Sequence, residues 1–269
     1  MPRWMPLDPV THAEAGWFKF RDYSFAARDH LIPVAMAEIT QVLPWYPLAF
    51  VHNDQADRYH LVALLSLQPG RNLYLSPEFK WTAPYVPSHY RGYPFALNAE
   101  GQLCIDADSG LFNDSQSIGT QPIFENGELA VLTAKVKQFH EQRQQALTTT
   151  QKLVDQLHQA GLITPWAIQW KPKDKVQTLK GFCGIDEEQL RHLAPEQFAE
   201  LARTGALGLA YVQLFSRPRI GDLQFRHQRQ PPTGKAPQSE RHLHAVEQTD
   251  SLDDVFGEGD DDLEFDFDR

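Results

Sequence analysis

The sequence predicts an α+β fold, with an antiparallel or mixed sheet in the N-terminal half, a helical C-terminal half and a disordered charged tail. Three observations carry that prediction. Up to about residue 105, apolar residues alternate in short runs separated by turn residues, which is the period of a half-buried strand. From Glu128 onward they recur every three or four residues, the period of a helix with one buried face. Beyond Ser216 the composition turns to Gln, Pro, His and charge, too poor in apolar residues to offset the entropy of ordering the chain.

Taken in order, the first residues carry Pro2, Pro6 and Pro9 and lead into the alternation from Gly16 to Phe20, an extended arm followed by a short strand. Between Asp29 and Val42, Ile32, Met36 and Ile39 fall at helical spacing and Leu43 continues it. With Pro33 suited to a first turn, a short amphipathic helix is expected there, stopping before Pro44. The runs YPLAFVH and YHLVALLSL flank a turn-rich Asn53–Asp57, a hairpin pattern. Pro69 and Gly70 make a turn before another short strand at Asn72–Leu75. A second hairpin pairs Phe95 and Leu97 with Leu103 and Ile105 across Glu100 and Gly101.

The helical half begins with Leu129, Leu132, Val136, Phe139, Leu147, Val154 and Leu157 on one face. They predict one long helix, or two with a break near Thr148–Thr150, stopped at Gly161. A strand-like AIQW follows Pro165. Asp186 suits the N-cap of the next helix, whose first turn is acidic as the helix dipole favours. Pro195 splits that segment, and an apolar helix is expected from about Pro195 to Phe215, interrupted by Gly205 and Gly208.

A chain of 269 residues with 42% hydrophobic content buries a sizeable core, read here as one domain with appendages. The globular domain spans residues 1–225, a basic and polar linker 226–249, and an acidic-aromatic tail 250–269. The formal charge of −10 arises almost wholly in that tail, which holds ten acids and one arginine. The body is nearly neutral and lacks the basic footprint of a nucleic-acid binder, so no nucleic-acid partner is expected for it. Cys104 and Cys183 match no zinc spacing and read as buried, reduced thiols. No signal-peptide core and no run long enough to span a bilayer is found, so a cytoplasmic protein without a membrane span is expected.

The densest chemistry lies in Pro84–Phe95, PYVPSHYRGYPF. Three prolines fix φ and push the preceding residues towards extended backbone, making a rigid aromatic clamp. The stretches WYPLAF (Trp45–Phe50), PGRNLYL (Pro69–Leu75), the clamp itself with Trp81, CIDADSGL (Cys104–Leu111) and QPIFENGE (Gln121–Glu128) resemble the bacterial SapC family. The likeness continues through the segment from Gly181 to Ser216 and spans roughly residues 10–225. It implies a cytosolic protein often encoded near flavin-dependent halogenase-like proteins, cupin-like proteins and TonB-dependent receptors, hence an accessory role in modification or uptake. It supplies no catalytic residues, and the charged tail looks like an addition to the family pattern.

Arg91 is the first candidate for binding, flanked by Tyr85, Tyr90, Tyr93 and His89. Its guanidinium suits stacking on an aromatic face while gripping a carboxylate or phosphate; the plainer alternative is an internal pair with Asp106 or Asp108. His12, His30, His52, His60 and His89 with Glu38, Asp106 and Asp108 supply ligand types for a non-haem iron centre, but their spacing argues against one, and neither a metal site nor a cofactor is predicted. There is no GxSxG elbow, and GFCG at Gly181–Gly184 is not a nucleotide loop. The expected function is therefore a non-catalytic accessory or binding protein for a peptide, metabolite or protein partner, with a metal-dependent modifying enzyme as the alternative. In the tail, Phe256, Phe265 and Phe267 alternate with acids, a composition able to dock in a groove with a basic rim or simply to solubilise the chain.

Overall fold

The computed structural model describes residues 2–170 and 177–229. The acidic tail, with Phe256, Phe265 and Phe267, lies outside them, as does most of the linker. Among the described residues the chain divides into two units: one takes the residues up to Arg21 and Gly92–Gln144, the other Asp22–Arg91 and the residues from Gln145 to Arg229. Strands and helices mix as the α+β reading requires.

In the first unit, strand Leu103–Asp106 lies between Trp4–Pro6 and Phe95–Leu97, antiparallel to both. The hairpin takes the register that the alternation predicts, with Phe95 opposite Ile105 and Leu97 opposite Leu103. Those residues place Phe95, Leu103 and Ile105 in a core with Trp17, Ile123 and Val136. Trp17 meets Phe95 edge-on at 5.0 Å and donates its indole N–H to Thr133 Oγ1 at 3.2 Å. Its strand is only Gly16–Trp17, held between Phe112–Asn113 and Gln121–Pro122.

The second unit is built on a five-stranded antiparallel sheet in the order Ile163–Pro165, Phe182–Ile185, Leu48–Asn53, Arg58–Leu64, Leu31–Pro33. The central hairpin runs from the Leu48–Ala63 pair to the Asn53–Arg58 pair, again as the alternation predicts. Two local expectations are corrected here. Residues 31–33 form an edge strand against Val62–Leu64, and the helical part shrinks to residues 36–42. The reason is that Ile32 is fully buried and Pro33, with no N–H to give, fits an edge position as well as it fits a helix start. Asn72–Leu75 is no strand, apart from a single bridge between Leu75 and Trp81. Asn72 instead spends its amide on Ala26 O and Tyr74 N, a local bonding pattern that competes with a ladder. The C-terminal half is mainly helical, as expected, and also contributes two strands to this sheet.

Val131–Gln159 is one unbroken helix. Thr149 and Thr150 do not break it, because each hydroxyl donates back to the carbonyl four residues earlier, at 3.1 and 2.8 Å. Asp186 caps Glu187–Arg191 by accepting from the N–H groups of Glu188 and Gln189, both at 3.0 Å. Helices Pro195–Thr204 and Ala206–Ser216 part at Gly205, which has φ 87°, a left-handed conformation suited to glycine; Gly208 interrupts nothing. The chain does not leave the fold at Ser216. A further helix, Arg219–Arg229, buries Ile220 and Leu223, and two apolar residues three apart are enough to dock one face while its charges stay in water.

One buried side chain ties this helical region to the sheet. Gln213 donates to Leu48 O at 3.1 Å and accepts from Ile185 N–H at 2.9 Å, while Ser216 Oγ accepts from Leu48 N–H at 2.9 Å. Gly184 explains part of the GFCG stretch: a Cβ there would come within 2.8 Å of the Arg217 guanidinium and 3.2 Å of Gln213. Its glycine serves close packing.

Candidate functional site

The division between the units falls within the clamp, after Arg91. Tyr85, His89, Tyr90 and Arg91 belong to the second unit, Tyr93 and Asp106 to the first. Prolines 84 and 87 keep the early part extended, and Ser88–Arg91 then makes a single helical turn.

What holds the clamp in the second unit is a buried carboxylate. Glu38 Oε2 accepts from the Tyr85 hydroxyl and from Ser88 N–H, both at 2.8 Å. Its Oε1 accepts from Ser88 Oγ at 2.7 Å and from Ala35 N–H at 3.3 Å. A buried carboxylate with four donors is the satisfied arrangement that low-dielectric surroundings demand. A second acid, Asp29, accepts from the Tyr90 hydroxyl at 3.0 Å. Burial pushes both the Asp29 carboxyl and the Tyr90 phenol up from their ordinary ranges.

Around these acids the rings form a wall. Trp81 lies 5.1 Å from Tyr90 and 5.4 Å from Tyr23, and Phe25 meets Tyr90 at 6.0 Å. Trp81 donates its indole N–H to the Tyr46 hydroxyl at 2.8 Å, and that hydroxyl donates in turn to Tyr85 O. The phenol of Tyr46 is pushed far up, mainly by burial. Tyr90 is therefore a core residue with its hydroxyl committed, and no ligand-facing tyrosine.

Arg91 sits differently. Its guanidinium carbon stands 4.7 Å over the Tyr85 ring and its Nε–H donates to Val86 O at 3.1 Å. The side chain remains partly exposed. Tyr85 thus has two tasks, an anchored hydroxyl and a ring face beneath a cation. His89 is exposed, with its ring 5.0 Å from that of Tyr90.

In the first unit, the Tyr93 hydroxyl donates to Asp106 Oδ2 at 3.0 Å. The other Asp106 oxygen accepts from Arg3 N–H at 3.0 Å and Asp108 N–H at 3.1 Å. Asp108 pairs with Arg3 at 3.1 Å. Asp106 is buried and serves as the bonding centre of a turn. The glycine of the clamp also has a reason: a Cβ on Gly92 would lie 2.2 Å from His140 Nε2, the nitrogen that donates to Gly92 O at 3.2 Å.

The histidines proposed as metal ligands are spread out. His52 is bonded to Asp54 and Asp57, at 2.8 and 3.1 Å, and His60 to Gln151 at 2.7 Å. Among the described residues, no three His, Cys, Asp or Glu side chains are grouped as a metal ion requires. Burial raises the thiol pKa of both Cys104 and Cys183, the direction of an inert thiol. No helix among the described residues is long and apolar enough to cross a membrane.

Sequence reasoning named Glu38 only as a metal-ligand candidate and did not name Asp29 or Ser88 for the clamp. The available signal was two acids, Asp29 and Glu38, upstream of an aromatic, hydroxyl-bearing segment. No curated protein and no solved structure matches the chain. It does match the SapC family over residues 7–223, which takes in the clamp, its two anchoring acids and the whole five-stranded sheet, and the chain belongs to that family.

Proposed function

We propose that this chain is a non-catalytic binding or accessory protein of the cytoplasm that engages a carboxylate-bearing peptide or metabolite through Arg91. The observation supporting this is a partly exposed guanidinium held over an anchored ring. Glu38 fixes the Tyr85 hydroxyl and Ser88, and Arg91 stands over the Tyr85 ring with part of its side chain at the surface. A guanidinium pre-set on an aromatic face loses little freedom when it takes a carboxylate. The acidic-aromatic tail, through Phe256, Phe265 and Phe267, recruits a protein partner in the same reading.

Titration with a short acidic peptide tests the clamp. Binding should weaken at least about tenfold in Arg91→Gln, the scale of one charge-assisted contact, with the fold unchanged by circular dichroism. Equal binding by both proteins refutes the role of Arg91. Metal analysis tests the non-catalytic part: stoichiometric iron or zinc that disappears in His89→Ala would sink it. For the tail, a chain lacking residues 250–269 should lose a partner that the full chain captures.

A further inference from the structure

The helix Ala206–Ser216 turns one face to the core, through Leu209, Ala210, Gln213 and Ser216. On the opposite face an ordinary surface helix carries charge, but this one has no charged residue along its length. Gly208, Tyr211 and Phe215, spaced three and four apart and so on one side, are exposed instead. Phe215 is 67% exposed and Tyr211 39%, and the two rings stack at 5.9 Å. Gly208 has no task inside the chain: its φ is not left-handed, and a Cβ there would meet nothing within 4 Å. Glycine in an exposed helix interior nevertheless costs about 1 kcal/mol against alanine. Bare backbone beside two stacked rings is a surface that a second helix can approach closely, and exposed apolar patches of this kind mark association sites.

The charge at either end of this helix selects what covers it. The chain entering its N-terminal end, residues 187–204, holds four acids against two arginines, whereas residues 217–229, leaving its C-terminal end, hold four arginines against one acid. Glu196 and Arg229 are both exposed, the latter over the Phe225 ring at 4.3 Å. A uniformly acidic or basic partner is repelled at one end, so the fitting surface is apolar in the middle and carries the same polarity reversed. We propose that the occupant is a second copy of this chain, the Gly208–Tyr211–Phe215 faces of the two copies packing antiparallel about a two-fold axis. Each acidic end then meets a basic end, the self-complementarity that an isologous contact requires, and the two helix dipoles oppose. An 11-residue helix is about 16 Å long, which gives an interface at the small, transient end of the range.

Sedimentation equilibrium of the full chain tests this from about 1 to about 500 µM, the concentrations at which a weak interface fills. The mean mass should climb from 30.7 kDa towards twice that value. Gly208→Arg should raise the dissociation constant at least about tenfold, the loss expected from obstructing the centre of a small interface, while leaving the circular dichroism unchanged, because the space around Gly208 is open. Phe215→Ser should do the same, and Arg229→Glu should also weaken the dimer. The proposal is overturned if the mass stays at 30.7 kDa throughout or rises past twice that value. It is equally overturned if Gly208→Arg and Phe215→Ser dimerise like the wild type. A full chain that remains monomeric while a chain lacking residues 250–269 dimerises would also overturn it, by making the chain's own tail the occupant. Should Gly208→Arg fail to fold, Phe215→Ser decides the matter.

Discussion

Replacing His140 with glutamine should remove a defined part of the pH dependence of stability. His140 Nε2–H donates to Gly92 O at 3.2 Å, and burial, helped by the charge of Arg143, lowers its pKa from 6.5 to about 4. In the folded protein the ring is therefore neutral at pH 5, while in the unfolded chain it is protonated. The folded-state pKa of a base is depressed, so its contribution is fully present above pH 6.5 and is lost as pH falls towards about 4. Each pKa unit is worth about 1.4 kcal/mol, which sets a ceiling of about 3 kcal/mol over that window. The residue keeps part of its surface, so a smaller loss is expected in solution. Urea unfolding of the wild type and of His140→Gln, at intervals from pH 7.5 to 4.5, isolates the effect. Glutamine retains an N–H for Gly92 O and does not titrate. His52, raised by its bonds to Asp54 and Asp57, titrates in both proteins and cancels in the difference. The wild type should lose stability faster than the variant on acidification; parallel curves would refute the reasoning.

Three further outcomes are expected. Gly92→Ala should destabilise by about 1–3 kcal/mol, the cost of overpacking, since its Cβ would meet His140 at 2.2 Å; thermal unfolding measures it, and His140→Ala in the same chain should recover part of the loss. Glu38→Ala should cost about 2–4 kcal/mol, because Tyr85, Ser88 and Ala35 lose their acceptor together, whereas Tyr85→Phe, which removes one bond, should cost about 1 kcal/mol by the same measurement. Gln213→Leu should cost about 2–4 kcal/mol in urea unfolding, as it orphans Ile185 N–H and Leu48 O in the core; a change within about 0.5 kcal/mol would show that the two strands do not depend on this brace.

The legible parts of the fold were those written in short windows. The two hairpins at Leu48–Leu64 and Phe95–Asp106 follow from alternation with turn residues between, and Asp186 is an N-cap because its carboxylate reaches N–H groups two and three residues on. The clamp was legible as a stiff aromatic segment because proline chemistry is local. The partners of its side chains were not. Tyr90 read as a binding residue on composition alone, whereas its ring is core and its hydroxyl belongs to Asp29.

The sequence by itself determined the fold class, the family, the main hairpins and the helical stretch from Leu129 to Gly161, though not that it is unbroken, all properties set by periods of two or of three to four residues and by the chemistry of single caps and turns. Only the tertiary structure decided that Leu31–Pro33 is an edge strand, that Ile163–Pro165 and Phe182–Ile185 join the N-terminal hairpin, and that the chain continues as a helix beyond Ser216. It likewise decided that Glu38 grips Ser88 across fifty residues and that Gly92 is required by His140. These outcomes rest on which surface each segment meets after the chain has folded back on itself. Burial of Ile32, Ile220 and Leu223 outweighs a weak local preference, and no window of the sequence contains the partner that does the burying.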